Sequence, residues 1–439
     1  MSDPSTWSFE TQQIHAGQAP DPVTGSRALP IHQTTSFVFE DTETAKNRFA
    51  LSELGPIYTR ITNPTQEAVE NKIAALEGGT GALLVSSGMA ATSMALMNLA
   101  EAGDHVVASA ALYGGTVNLF QYTLPKHGIE VTLVEDPSDL EQWKAAIKPN
   151  TKALFGETIG NPKDVVLDIA GIADVAHGAG VPLIVDNTIA TPYVLRPIEH
   201  GADIVVHSAT KFLGGHGTSI AGVIVDGGKF NFAADPEKFP GFNEPDESYH
   251  GLRYGPDLGE GGALGANLSF VLKARVQLLR DLGQAVSPFN AFLIGTGIET
   301  LSLRMERHLE NTRRVADFLE ADERVGTVTW ASLSSSPHHE RARRYLPKGS
   351  GSVLGFELPG GLEAGRRFVD ALTLHSHVAN IGDVRSLVIH PASTTHSQLT
   401  EEELRAAGVA PGFVRLSVGI EHIDDILADL EQGLAAVSA

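Results

Sequence analysis

The 439-residue chain contains no cysteine. That absence excludes disulfides, thiolate nucleophiles and thiolate metal sites, and it fits a reducing compartment. Basic residues are scarce beside acidic ones: 32 Lys and Arg stand against 53 Asp and Glu, a formal net charge of −21. No broad electrostatic adhesion to nucleic acid or to an anionic membrane is expected, though the balance still permits a local basic pocket for a small anion. No stretch approaches the roughly 20 consecutive apolar residues that span a bilayer. The N-terminus, MSDPSTWSFETQQIHAG, lacks the basic start and apolar core of a secretory signal. A soluble, cytoplasmic protein is expected. The 42% hydrophobic and 19% charged residues argue for a folded chain rather than a disordered one.

Residues 1–64 hold Pro20, Pro22, Pro30, Pro56 and Pro64 without sustained periodicity, which predicts an extended arm with little helix. From Thr65 to Glu77, Val69, Ile73 and Leu76 share one helical face, and Gly78-Gly79 ends the run. A strand–helix alternation follows. Strands are predicted at 82–85, 105–109, 131–134, 153–157, 183–185, 204–206 and 222–225, with helices at 89–99, 117–126, 140–147 and 169–177. Short apolar strands spaced by helices imply a mostly parallel sheet covered on both faces. Residues 227–262, rich in Gly, Pro, Phe and Asp, interrupt the rhythm and read as an insertion over the surface. One or two long helices are predicted over 291–319. Segments 353–358, 364–372, 414–418 and 424–437 suggest a smaller α/β unit. The expected organisation is an arm over 1–64, a large domain over 65–285 and a small domain over 286–439.

Several strand ends carry residues able to do chemistry. The strand Ile204-Val205-Val206 leads into HSATKFLGGH, which delivers Lys211 among hydroxyls and glycines. A lysine in a partly apolar pocket can lose its proton and form a Schiff base with a carbonyl. Ser208 and Thr210 could donate to a phosphate beside it. The strand Leu183-Ile184-Val185 ends in Asp186-Asn187-Thr188, at the sheet edge where α/β proteins bind ligands. A buried carboxylate there could hold the proton of a pyridine nitrogen, cap a helix or bind a metal. Ser86-Ser87-Gly88-Met89 sits between a strand and a helix, where backbone N–H groups can face an anion. Tyr113-Gly114-Gly115 and Asn161, in Glu157-Thr158-Ile159-Gly160-Asn161-Pro162, also follow strands; a ring could stack on a planar group and an amide could bond an oxygen, or both could be turn chemistry. Tyr58 and Arg60 lie two residues apart in the arm, so both can point the same way toward a phosphate, including one in a neighbouring subunit. Arg415, on the apolar strand 414–418, is suited to a carboxylate or to an internal salt bridge. None of His338, His339, His375, His377, His390 and His396 has helix i, i+4 spacing with an intervening acid, and no metal site is expected. The SSGMAA turn lacks both a P-loop lysine and a dinucleotide glycine pattern.

Taken in order, the motifs YTR, SSGMAA, YGG, ETxxNP, DNT, HSATKFLGGH, HPAS and RLSVGIE closely resemble the Cys/Met-metabolism family of pyridoxal 5'-phosphate (PLP) enzymes over nearly the whole chain. The resemblance implies an α/β aspartate-aminotransferase-like fold (fold type I), a large mostly parallel sheet domain plus a smaller C-terminal α/β domain. It implies that Lys211 holds PLP and shuttles protons, that Asp186 holds the ring nitrogen, and that Tyr113 stacks on the ring. Ser87, Gly88, Met89, Thr188, Ser208 and Thr210 would bind the cofactor, with Asn161 near its phenolic oxygen. Tyr58 and Arg60 would complete the phosphate site from the adjacent subunit, Tyr58 also counting among the catalytic residues. Arg415 would hold the substrate α-carboxylate and Asn380 would contact substrate. The segments Phe239 to Leu252 and His390 to Leu399 resemble the O-acetylhomoserine sulfhydrylase branch. Two departures stand out: Asn380-Ile381-Gly382-Asp383 replaces the Ser-Leu-Gly-Gly of many lyases, and Gly115 stands where methionine γ-lyases carry Cys. The implied activity is γ-replacement on O-acetyl-L-homoserine by sulfide or methanethiol, in a homotetramer built from dimers. Cystathionine γ-synthase or γ-lyase activity is the enzymatic alternative, and a catalytically idle PLP-fold binding protein the alternative of another class.

Overall fold

The computed structural model describes residues 6–161, 164–262, 264–394 and 410–438. Its larger sheet is formed by β1 (Gly81–Val85), β2 (His105–Ser109), β3 (Glu130–Val134), β4 (Thr151–Glu157), β5 (Leu183–Asp186), β6 (Ile204–His207) and β7 (Gly222–Asp226). The strand order is β1-β7-β6-β5-β4-β2-β3. The run β3-β2-β4-β5-β6 is parallel, and β7 is antiparallel to both β6 and β1. Parallel neighbours need long crossovers; predicted helices supply those from β2 to β3 and from β4 to β5, while the short helices Thr191–Val194 and Pro197–His200 between β5 and β6 were not predicted. Successive strand residues point to opposite faces. Val107, Leu154, Val185 and Val205 accordingly enter one apolar core, while Val106, Phe155, Ile184 and Val206 enter another on the opposite face. Burial on both faces explains why these strands read as continuous apolar runs.

The smaller sheet contains β8 (Val328–Thr329), β9 (Val353–Glu357), β10 (Ser376–His377), β11 (Leu387–Ile389) and β12 (Phe413–Ser417), in the order β10-β11-β12-β9-β8. Its core joins Phe356, Phe368, Val414 and Leu430, which brings the helices Gly361–Ala371 and Ile423–Ser438 against the sheet. The helix Leu301–Glu320 serves both cores: Leu301, Met305 and Leu309 pack into the larger, Val315, Ala316 and Leu319 into the smaller. Among the described residues, no helix is long and apolar enough to cross a membrane.

The structure departs from the sequence expectations in two segments. The arm contains two helices, Phe9–His15 and Thr42–Phe49. The second starts at Asp41, whose carboxylate accepts the Thr44 N–H at 2.7 Å. The first is held from outside: Gln13 Nε2 donates to Ser302 Oγ at 2.9 Å, and Ser302 N–H donates back to Gln13 Oε1 at 3.0 Å. The 227–262 segment is not simply draped over the surface. Phe232, Phe239 and Phe242 are buried, and the Phe232 and Phe242 rings stack with centroids 4.3 Å apart. Residues 395–399 of the HPAS-containing segment, and Pro162, lie outside the described residues.

Candidate active site

The carboxyl ends of β1, β2, β4, β5 and β6 open onto a cavity of about 270 Å³. Ser87, Gly88, Met89, Tyr113, Asn161, Asp186, Thr188, Ser208, Thr210, Lys211, Asn380 and Arg415 all line it. Asn380 arrives from the smaller sheet, in the connection between β10 and β11, and Arg415 lies on β12. The cavity therefore joins the two sheets.

One end is built for an anion. The helix Gly88–Met97 begins there, capped by Ser87, whose Oγ accepts the Ala90 N–H at 3.1 Å. The Ala91 N–H bonds Ser87 O, and the N–H groups of Gly88 and Met89 have no acceptor among the described residues. A Cβ on Gly88 would lie 2.6 Å from Ser208 Cβ, so only glycine allows this close approach. Ser208 N–H donates to Thr188 Oγ1 at 2.8 Å, which fixes the hydroxyl-bearing loop. The Thr210 hydroxyl is occupied: it donates to Ala221 O and accepts the Ala221 N–H, both at 3.1 Å. Free amides at a helix N-terminus with a neighbouring hydroxyl make a phosphate cradle.

The middle of the cavity holds carboxylates and an amine. Glu157 and Asp186 are register partners on β4 and β5. Burial pushes Glu157 well above the usual carboxylate range, and the charge of Asp186 adds to it. Burial also raises Asp186, but hydrogen bonds from Thr188 and the charge of His207 act in the other direction. Of the two carboxyls, Asp186 is thus the one whose surroundings offset part of the burial and favour its ionised form. Glu157 Oε1 accepts the Tyr113 N–H at 2.6 Å and so anchors the aromatic residue's backbone. The Tyr113 ring is 52% exposed and folds over Gly115, where a Cβ would lie 2.5 Å from Tyr113 Cε1. Burial lowers the proton affinity of Lys211, and the Arg415 charge lowers it further. Lys211 Nζ donates to Asn380 Oδ1.

The far end suits a carboxylate. Burial brings Arg415 down to about 10, so its guanidinium stays charged at neutral pH. Its Nη1 donates to Asn161 Oδ1 at 3.2 Å and its Nη2 to Asn380 O at 3.3 Å. Both of these partners are neutral oxygens, so among the described residues the cation has no carboxylate partner, which a ligand carboxylate would supply.

Tyr58 and Arg60 do not line the cavity of their own chain. Tyr58 is 41% exposed, the Arg60 guanidinium sits 5.3 Å from its ring centroid, and Arg60 Nη1 donates to Arg280 O. Cavity residues not singled out from the sequence include Glu157, Thr92, Thr116, Ile220 and Ile381. Glu157 had a usable signal, since it ends an apolar strand as Asp186 does. The others carry no chemistry that marks them.

An anion cradle, a buried carboxyl group at a strand end, a lysine of lowered proton affinity and an aromatic ring on the same cavity fit PLP. The sequence profile of the Cys/Met metabolism PLP-dependent enzymes matches residues 10–435. The chain is 54% identical over 435 residues to an O-acetyl-L-homoserine sulfhydrylase of Leptospira meyeri, covering 99% of this chain and 98% of the relative. It is 55% identical over 439 residues to the Corynebacterium glutamicum protein of the same description, covering 99% of each. Among solved structures, an O-acetylhomoserine (thiol)-lyase of Campylobacter jejuni superposes with a TM-score of 0.92 at 39% identity, over 98% of this chain and 100% of that one. That crystal structure contains a pyridoxyl-lysine monophosphate.

Proposed function

The chain belongs to the Cys/Met metabolism PLP-dependent enzyme family, and from that premise we propose that it replaces the γ-acetoxy group of O-acetyl-L-homoserine with sulfide, giving L-homocysteine and acetate. Methanethiol in place of sulfide gives L-methionine. The observation that carries this reading is the full-length identity of about half to sulfhydrylases, on a cavity that gathers Lys211, Asp186, Tyr113 and Arg415.

When bound, PLP supplies the electron sink that makes first the α-proton and then the β-protons of the amino acid acidic. The chain's own residues do the rest. The N–H groups of Gly88 and Met89 with Ser208 hold the phosphate. Asp186 holds the ring nitrogen in its protonated form. Lys211, eased toward its neutral amine by burial and by Arg415, is the group that carries the cofactor and then moves substrate protons. Arg415 orients the α-carboxylate, and Tyr113 covers the ring and assists departure of acetate from the γ-carbon. Sulfide then forms the new C–S bond at that carbon. Asn161 and Asn380 already meet the Arg415 fork and so set its direction.

The phosphate end needs a cation. Among the described residues, Lys211 and Arg415 are the lysine and arginine lining the cavity, and both have other tasks. We assign this role to Arg60, with Tyr58, of a second copy of the chain, in a homotetramer of paired dimers. A cytoplasmic location and the division into arm, large and small domains belong to the same reading.

The test is product analysis with O-acetyl-L-homoserine while only the nucleophile varies: sulfide, methanethiol, cysteine or none. Homocysteine formed preferentially from sulfide supports the assignment. Cystathionine as the dominant product, or 2-oxobutanoate regardless of nucleophile, overturns it.

A further inference from the structure

Behind the cavity, on the opposite face of the sheet, lies a polar cluster that the mechanism above does not use. Glu77, the last residue of the helix Pro64–Glu77, and His207, the last of β6, have fully buried side chains. His207 Nε2 donates to Glu77 Oε1 at 2.6 Å. Asn187 Nδ2 donates to the same oxygen at 2.9 Å and to Leu195 O at 2.8 Å. Asn187 Oδ1 accepts the Thr158 hydroxyl at 2.8 Å.

The placement follows the pleat. At the ends of β4, β5 and β6 the cavity receives Glu157, Asp186 and Ser208, while each one's chain neighbour, Thr158, Asn187 and His207, joins the network behind. The strand ends that carry the chemistry are thus tied together from the rear and to one helix end. Packing alone does not account for the cluster. Glu77 Oε2 and His207 Nδ1 are buried without hydrogen-bond partners, and a well-packed apolar set in the same place would avoid that cost.

We propose that Glu77, His207 and Asn187 form a positioning element for Asp186, holding its strand end in the register and charge environment that the cofactor's ring nitrogen requires. The inference rests on the reading of the cavity as a PLP site. The groups facing Asp186 are Glu157, its register partner on β4, and Thr188 from its own loop and His207 from β6, which favour its ionised form against burial. His207 therefore acts on Asp186 from behind the sheet rather than from the ligand side.

The test is Glu77→Gln, which keeps one oxygen acceptor but replaces the carboxyl group by a neutral amide. Titration of the apoprotein with PLP is expected to show binding weakened by about tenfold, the equivalent of one unit of proton affinity. The pH midpoint of the bound cofactor's visible absorbance is expected to move. With O-acetyl-L-homoserine and sulfide, kcat falls while KM stays within about twofold, since Arg415 is untouched. A merely structural role would lower the melting temperature and leave PLP affinity and the absorbance midpoint unchanged, and that result overturns the proposal. Should Glu77→Gln not fold, His207→Gln is read in the same way. In the unmodified protein, the His207 imidazole resonance is expected to shift when PLP is added to the apoprotein, and an unmoved resonance counts against the inference. The two readings fail separately. If no homocysteine forms but Glu77→Gln loosens PLP, the proposed function fails and the positioning element stands. If homocysteine forms and Glu77→Gln binds PLP like the parent, only the inference fails.

Discussion

Combining two dead variants should restore activity if each active site is shared between subunits. Lys211→Ala removes the amine from a subunit's own cavity. Arg60→Ala removes a guanidinium that lies outside that cavity, against Tyr58 and Arg280 O. Each homo-oligomer is expected to be inactive or nearly so: the first lacks its proton carrier, the second its phosphate cation. With equal amounts and random pairing, about half of the dimers are mixed. In a mixed dimer, the subunit bearing Arg60→Ala keeps Lys211 and receives an intact Arg60 from its partner, so one of its two sites is whole. The other site lacks Lys211 and stays silent. Recovered activity should therefore approach about one quarter of the parent, and about one half in mixed dimers isolated with two different affinity tags. The assay is homocysteine formation from O-acetyl-L-homoserine and sulfide after co-expression. If Arg60 served its own subunit, both sites of the mixed dimer would be broken, so no recovery at any mixing ratio refutes the argument. A fully active monomer in sedimentation would do so as well.

Other parts of the site give independent outcomes. Gly88→Ala puts a carbon 2.6 Å from Ser208 Cβ, where contacts normally lie at about 3.5–4.0 Å. The overlap should cost about 1–3 kcal/mol, roughly tenfold or more in PLP affinity by equilibrium titration, and binding within twofold of the parent would contradict the cradle. Lys211→Ala should abolish turnover; near-normal rates, once residual parent enzyme is excluded, would remove Lys211 from its role. Lys211→Met should raise the apoprotein's melting temperature at neutral pH, because the folded state holds the lysine's proton less tightly than the unfolded chain does. His308 is pushed down to about 4 by burial, beneath Val418 O, to which its Nδ1 donates at 2.7 Å. Between about 6.5 and 4 the unfolded chain takes up the proton that folded His308 refuses, so stability falls as pH falls through that window. The contribution is about 3 kcal/mol, and His308→Gln should flatten that part of the acid limb in urea melts; parallel limbs for parent and variant would show the burial account to be wrong.

The larger sheet was legible because its inner strands are buried on both faces and stand out as short apolar runs between helices. The joint between the two sheets was not. Leu301–Glu320 is one unbroken periodic helix, and nothing local marks where its contacts pass from the larger core to the smaller. Strands β10 and β11 have two and three residues, too few for a period to register. The helix Phe9–His15 depends on a paired Gln13–Ser302 contact 289 residues away in sequence, which no window along the chain can contain. The aromatic residues of 227–262 looked like surface turn punctuation because Gly and Pro lie between them, yet it is their rings that bury the segment.

The site divides along the same physical line. Residues that meet a ligand are restricted to few side-chain types: an amine that can lose a proton, a carboxylate for a ring nitrogen, a fork for a carboxylate, a glycine where backbone must approach. Such types stand out at the end of an apolar strand, which is why Lys211, Asp186 and Gly88 could be singled out. The layer behind answers to a different constraint. Thr158, Asn187 and His207 need only fill and bond the rear of the same strand ends, and side by side with the motif residues they pass for motif spelling. Glu77 is more hidden still, since it ends an ordinary amphipathic helix 130 residues before its partner. Yet its carboxylate is the point at which two of those strand ends meet. A change there is invisible to any reading based on ligand contact, and it should reach Asp186 through Asn187 beyond the end of β5 and through His207 at the end of β6, by routes that leave Arg415 and the substrate's own binding contacts in place.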